Sequence, residues 1–189
     1  MIKDNKLLGE EFTDVESLPL LGFNDPNLYK VPTDVDIQNE VLEDLKHGLL
    51  KIMKHLGGVG LSANQVGVDA RFFVVGDGLA GGMNKAYFNP EIIGVGKEEE
   101  SIKEGCLSFP GLWLMVKRPT ECAIKYTNTK KKEVVETYKG VTARVILHEY
   151  DHMLGQNFTM RVSRIKLERA LKALQKKVKK YQRKMSELE

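Results

Sequence analysis

The sequence predicts an α+β fold in which antiparallel strands pack around a central helix carrying a metal-binding His-Glu-x-x-His stretch, with an additional C-terminal helix. Three observations predict it. Short alternating or apolar runs cluster between residues 71 and 138, helical three- and four-residue spacings flank them on both sides, and the last 27 residues carry one long heptad-like seam. A length of 189 residues suits one catalytic body, residues 1–162, followed by a basic amphipathic helix, residues 163–189.

Residues 1–23 read as irregular, and Asn24-Asp25-Pro26-Asn27 as a turn, because Asx side chains and Pro pre-set turn geometry. Thr33, Asp34 and Asp36 are suited to cap a helix beginning near Ile37, whose apolar face is Ile37, Val41, Leu45, Leu49, Ile52 and Leu56. Gly57-Gly58 ends it. Gly58 to Gln65 reads as a small-residue loop. Arg71–Gly76 reads as a strand, as does Ala86–Asn89 with Ile92–Val95, and Gly78–Gly82 as the turn between them. Thr120–Thr127 alternates, with Cys122, Ile124 and Tyr126 on the core side, and Glu133–Tyr138 returns after a turn at Asn128–Lys131. A helix follows Gly140 and stops before Gly155. In the last segment Leu167, Leu171, Leu174, Val178, Tyr181, Met185 and Leu188 form the seam.

Composition excludes several classes. At 42% hydrophobic residues the chain can build a core, so a disordered protein is excluded. Cys106 and Cys122 are too few for a disulfide framework and fit a reducing compartment. The first residues carry Lys3 and Asp4 with no apolar run behind them, which reads against a targeting peptide, and no run approaches a membrane span; both point to a cytoplasmic protein with no membrane partner. The net charge of +3 is unevenly divided: residues 161–189 hold eleven Lys/Arg against three Glu, while the rest of the chain is net acidic. A tail of this kind suits a polyanion.

The chemistry begins at His148-Glu149-Tyr150-Asp151-His152. Histidines four apart on a helix lie about 40° apart in azimuth and about 6 Å apart along the axis, so both imidazoles can reach one ion. Glu149, beside the first of them, can handle the proton of a metal-bound water. A hydrolytic site of this kind needs a third ligand and an open position. The His three residues past Gly155 that a metzincin would use is Phe158 here, and Glu168 belongs to the basic tail. Cys106, in the loop-like Glu104-Gly105-Cys106-Leu107-Ser108, is the better third candidate, since a metal holds a thiol as thiolate. Cys122 reads as core. Asp151 lies off the face of the histidines, and an ion pair with Arg118 is expected for it.

Gly58-Val59-Gly60-Leu61-Ser62-Ala63-Asn64-Gln65, the Cys106 stretch and the His148–His152 stretch, in that order, resemble the three signature motifs of the peptide deformylase family, over roughly residues 20–165. The resemblance implies a hydrolase that removes the formyl group from the N-terminal formyl-methionine of nascent polypeptides and releases formate. It implies Cys106, His148 and His152 as metal ligands, with Fe(II) the usual ion and Zn(II) or Ni(II) as alternatives. It implies Glu149 as general base and acid for a metal-bound water attacking the formyl carbon, and Gln65 with the Leu107 N–H as oxyanion donors. The backbone of Gly60 and Gly105 would pair with the peptide. Val59, Leu107, Ile146 or Leu147, and Phe109 are pocket candidates by closeness to the motifs. Ser62 stands where the family commonly has Ala, and Trp113 where many members have Arg. The basic helix has three readings: packing on the body, pairing with a second copy, or contact with ribosomal RNA. His47 and His55 read as structural. The rival functions are a zinc endopeptidase and an RNA-binding protein with a relic metal site.

Overall fold

A computed structural model describes residues 18–76 and 84–187 of the chain. The expected turn at Gly78–Gly82, the expected irregular stretch up to residue 17, and Leu188 of the seam lie outside the described residues. The architecture is α+β, with two antiparallel sheets and three α-helices, the last of them C-terminal.

The first helix, α1, spans Val41–His55 and buries Val41, Leu42, Leu45, Leu49, Ile52 and Met53. It starts four residues later than the sequence suggests. The residues expected to cap it are engaged elsewhere: Thr33 bonds the Asp69 carboxylate, Asp34 pairs with Arg71, and Asp36 accepts from the Gln38 N–H. Asn39 instead accepts the Val41 N–H at 3.0 Å, so the asparagine marks the entry. Ile37 still packs on the same core from outside the helix.

The larger sheet has the order β1-β2-β3-β6-β7, all antiparallel. Its strands are β1 (Gly60–Ser62), β2 (Phe72–Val75), β3 (Lys85–Val95), β6 (Glu121–Thr127) and β7 (Glu133–Lys139). β1 was expected to be a loop. Its three residues are small or apolar and too few to display a period, yet each pairs with β2. β3 runs through the two pieces read separately in the sequence; a register shift between Phe88 and Glu91 accommodates Pro90, and a second lies between Ile92 and Gly94. On β6 the expected alternation holds: Cys122, Ile124 and Tyr126 are buried. A second, two-stranded sheet pairs β4 (Glu99–Glu104) with β5 (Leu114–Pro119). The sequence reading missed it; the run from Glu98 to Glu104 is nearly all charged and exposed, so no apolar stripe announces a strand.

α2 spans Gly140–Met153 and packs against β1, β2, β3, β6 and β7 of the larger sheet and β5 of the smaller. Ala143, Ile146, Leu147 and Met153 join Phe73, Tyr87, Cys122 and Ile124 in one apolar cluster. The chain leaves α2 at Gly155, with φ +66, where a Cβ would lie 2.5 Å from the Tyr29 carbonyl oxygen; a side chain there would push the early turn away. A third cluster of Leu28, Phe109, Leu112, Leu114, Val116 and Phe158 closes the side below the histidines. α3, Arg164–Ser186, rests on it through Leu167, Ala170 and Leu174. The rest of the described seam, Leu171, Val178, Tyr181 and Met185, is exposed.

Candidate metal centre and active site

Three segments meet over α2. β1 and the 3-10 turn Ala63–Val66 bring Gly60, Ser62 and Gln65. The loop leaving β4 brings Gly105, Cys106 and Leu107, and α2 brings His148, Glu149 and His152. The ligand atoms of Cys106, His148 and His152 lie within 4.8 Å of one another. Cys106 Sγ is 3.5 Å from His152 Nε2. Two imidazoles and one thiol at that separation suit a divalent transition ion. Among the described residues no other cluster of this kind occurs.

The surroundings orient His148 through a chain of ion pairs. Glu104 Oε2 lies 3.2 Å from His148 Nδ1, which leaves Nε2 of that ring for an ion. Glu104 is itself held by Arg118 (Nε to Oε1, 2.8 Å) and Arg144 (Nη1 to Oε1, 2.6 Å). Arg118 continues to Asp151 at 2.8 Å, the ion pair expected from the sequence, and Asp151 also pairs with Arg161. His152 Nδ1 is buried and has no hydrogen-bond partner among the described residues.

Charge is tuned accordingly. Burial pushes Glu104 up, but hydrogen bonds from His148 and Arg118 and the Arg118 charge outweigh it and hold the carboxyl at about 2. Burial pushes His148 down, and the Cys106 thiol and Glu104 carboxylate more than reverse this, lifting it to about 10. His152 is lowered by burial and by the neighbouring His148 and Arg118 charges. Glu149 is raised, chiefly by burial. A buried carboxyl that holds its proton more readily than a free one is suited to general acid–base work.

Gln65 is anchored at both ends of its amide. Its Oε1 accepts from the Ser62 N–H at 2.9 Å, and its Nε2 donates to Ser108 Oγ at 3.1 Å and lies 3.3 Å from Cys106 Sγ. The donor end therefore faces the ligand cluster. The Leu107 side chain lies against Gly58. Glu149 sits beneath β1: a Cβ on Gly60 would fall 2.5 Å from its Oε1.

A groove of about 720 Å³ opens over these residues. Val59 and Leu107 line it, as expected, with Gly60, Gly105, Gln65 and Cys106. Phe109, Ile146 and Leu147 do not; they belong to the apolar clusters behind it. Helix periodicity explains the difference: Val141, Arg144, Val145, His148 and Glu149 share the groove face of α2, and Ile146 and Leu147 point to the sheet. Sequence reasoning missed Val141 and Val145, although their places seven and three residues before His148, on one helix face, carried the signal. Trp113 lines the far end, its ring 3.1 Å from where a Gly105 Cβ would be, with Lys103 Nζ 5.5 Å from the ring centroid. His47 and His55 lie on α1, away from this site.

Comparison with known proteins points the same way. The family model described as polypeptide deformylase matches residues 17–168. A peptide deformylase of Thermotoga petrophila is 40% identical over 143 residues, covering 75% of this chain and 84% of that protein. One of Cytophaga hutchinsonii is 37% identical over 153 residues, covering 78% and 83%. Among solved structures, a plant peptide deformylase superposes with TM-score 0.79 at 31% identity, covering 90% of this chain and 94% of that one. A peptide deformylase of Synechococcus elongatus in complex with actinonin gives 0.78 at 29% identity, covering 92% of each.

Proposed function

The chain belongs to the peptide deformylase family, and from that premise we propose that it removes the formyl group from the N-terminal formyl-methionine of newly made polypeptides. The observation that carries the reading is the convergence of the Cys106, His148 and His152 ligand atoms within 4.8 Å, with Cys106 and His148 on the wall of a groove that also holds Glu149 and Gln65.

Cys106, His148 and His152 would hold one divalent ion, Fe(II) natively, with Zn(II) or Ni(II) as substitutes. When bound, the ion supplies Lewis acidity, so that a water can lose its proton near neutral pH. Glu149 takes that proton as the water oxygen attacks the formyl carbon. Gln65 Nε2 and the Leu107 N–H donate to the oxygen that gains charge. The C–N bond then breaks, formate departs, and Glu149 returns its proton to the amine nitrogen of methionine. The free edge of β1 at Gly60 and the backbone at Gly105 take the peptide in strand-like pairing. Val59 and Leu107 offer apolar surface to the methionine side chain.

We further propose that residues 1–162 form the catalytic body, acting in the cytoplasm, and that the basic segment 163–189 gives it a contact with the ribosome. Among the described residues no helix is long and apolar enough to cross a membrane.

Formate release from a formyl-Met tripeptide tests the reading, with protein loaded with iron in the absence of oxygen. Stoichiometric metal and steady formate release are expected, with no cleavage inside an unblocked peptide. Internal cleavage would favour an endopeptidase, and absence of formate would overturn the proposal.

A further inference from the structure

Strand β1 does more than border the groove. Ser62 is fully buried and uses two groups on two different partners. Its N–H donates to Gln65 Oε1 at 2.9 Å, and its hydroxyl donates to Glu149 Oε2 at 2.7 Å. The Glu149 carbonyl lies further from the same hydroxyl, at 3.3 Å, so the single proton favours the carboxylate. Two residues earlier on the strand, Gly60 leaves the space in which Glu149 Oε1 lies. One oxygen of the carboxylate is thus tied to β1, and the other is confined beneath Gly60 at the groove. An ionised carboxylate can only accept hydrogen bonds, so without the hydroxyl Oε2 would be buried with no donor to hold it.

We propose that Ser62 is a positioning residue for the proton transfer: its hydroxyl fixes the Glu149 rotamer so that Oε1 faces the reacting atoms, and its backbone N–H orients the Gln65 amide in the same step of the strand. Ser62 itself does not line the groove. A charge-assisted bond from a buried hydroxyl is worth enough to choose one carboxylate rotamer over its competitors. Proton transfer by a displaced carboxylate is slow even when the peptide is bound normally. The loss of the hydroxyl therefore falls on kcat.

The proposal rests on the reading of Glu149 as proton carrier, and the experiment separates the two. Steady-state deformylation of a formyl-Met peptide is measured for wild type, Ser62→Ala, Ser62→Thr, Glu149→Gln and the double variant Ser62→Ala/Glu149→Gln. Metal content and thermal midpoint are measured for each. For Ser62→Ala, kcat should fall about tenfold, with KM and metal content unchanged. Ser62→Thr, which keeps the hydroxyl, should restore most of the loss. In the Glu149→Gln background the Ser62→Ala change should not lower the residual rate further, since an amide carries no proton in whatever rotamer it is held. A crystal structure of Ser62→Ala should show the Glu149 carboxylate turned from its wild-type position. If Glu149→Gln drops to a small residual rate while Ser62→Ala keeps wild-type kcat or an unmoved Glu149, the positioning role is overturned and the carrier reading stands. If Glu149→Gln retains full activity, the carrier reading falls first. A Ser62→Ala effect that persists undiminished in the double variant marks a general structural role and also overturns the proposal.

Discussion

Arg118 and Asp151 meet at 2.8 Å with both side chains almost completely buried, and the pair links the two halves of the metal centre. Arg118 comes from β5 and also holds Glu104, the partner of His148. Asp151 lies one residue before His152. Removing Arg118 leaves two buried carboxylates short of a cation, although Arg144 still serves Glu104 and Arg161 still serves Asp151. Breaking a buried pair from one side commonly costs about 3–5 kcal/mol. The remaining arginines place Arg118→Met near the lower end, about 3 kcal/mol, measured by urea unfolding of the metal-loaded protein. A loss below about 1 kcal/mol would show that Arg144 and Arg161 suffice.

Glu104 makes stability depend on acid. Its folded carboxyl is held at about 2 against an ordinary value of 4.5. A depressed carboxyl contributes stability that is fully present above its unfolded value and is lost as pH falls through the folded one. The contribution should therefore fade between about 4.5 and 2. Urea midpoints of Glu104→Gln across that window should vary less with pH than those of wild type. Parallel curves for the two proteins would mean that Glu104 is not the group being protonated.

The two cysteines should behave oppositely. Cys122 is fully buried, and burial, aided by the Glu121 charge, pushes its thiol up to about 11. Cys106 is half-buried on the groove wall. In the native metal-stripped protein an alkylating reagent should modify Cys106 and spare Cys122. Loading with Zn(II) or Fe(II) should protect Cys106, and Cys106→Ala should lose metal. Equal alkylation of Cys106 with and without the ion would remove it from the ligand set.

The helical part of this site was legible in the sequence because it is local: helical spacing places His148, Glu149 and His152 together. Cys106 and Gln65 entered through the ordered motifs, and the Asp151–Arg118 pair through an acid beside a ligand and a base after the cysteine loop. The β4–β5 sheet was not legible: its charged, exposed strand carries no stripe, and pairing with β5 is a long-range fact. Nor was the role of Ser62, since nothing in a run of small residues says that its hydroxyl meets Glu149, 87 positions later. The start of α1 was misplaced for a related reason. Thr33 and Asp34 are good caps in isolation, and tertiary partners claimed both. The pocket candidates chosen by sequence distance failed where helix azimuth decides, at Ile146 and Leu147.

Val59 is exposed at the groove rim next to Gly60 and opposite Leu107. A tryptophan there would fill space that the methionine side chain needs, while touching no ligand. Val59→Trp should raise KM at least tenfold with metal content intact, since one misfitted apolar contact is worth about 1–3 kcal/mol. Unchanged kinetics would remove Val59 from the methionine pocket.

The distal half of α3 leads to the last prediction. Leu167 and Leu174 of the seam, with Ala170 beside them, pack the first half of α3 on the body, leaving Leu171, Val178, Tyr181 and Met185 exposed. That remainder is short of the roughly three to four heptads that sustain a coiled coil, which weakens pairing with a second copy. Lys176, Lys179, Lys180, Arg183 and Lys184 line one face of the same half, turned from the seam. A row of cations at helical spacing meets phosphates at successive turns, and its affinity must fall as salt rises. The full chain should co-sediment with ribosomes at low salt and be released as salt increases. Replacing the five cations with Gln should abolish co-sedimentation while formate release from a short peptide is unchanged, because none of them lies at the groove. Salt-insensitive co-sedimentation, or binding that survives the five replacements, would show that α3 is not the contact.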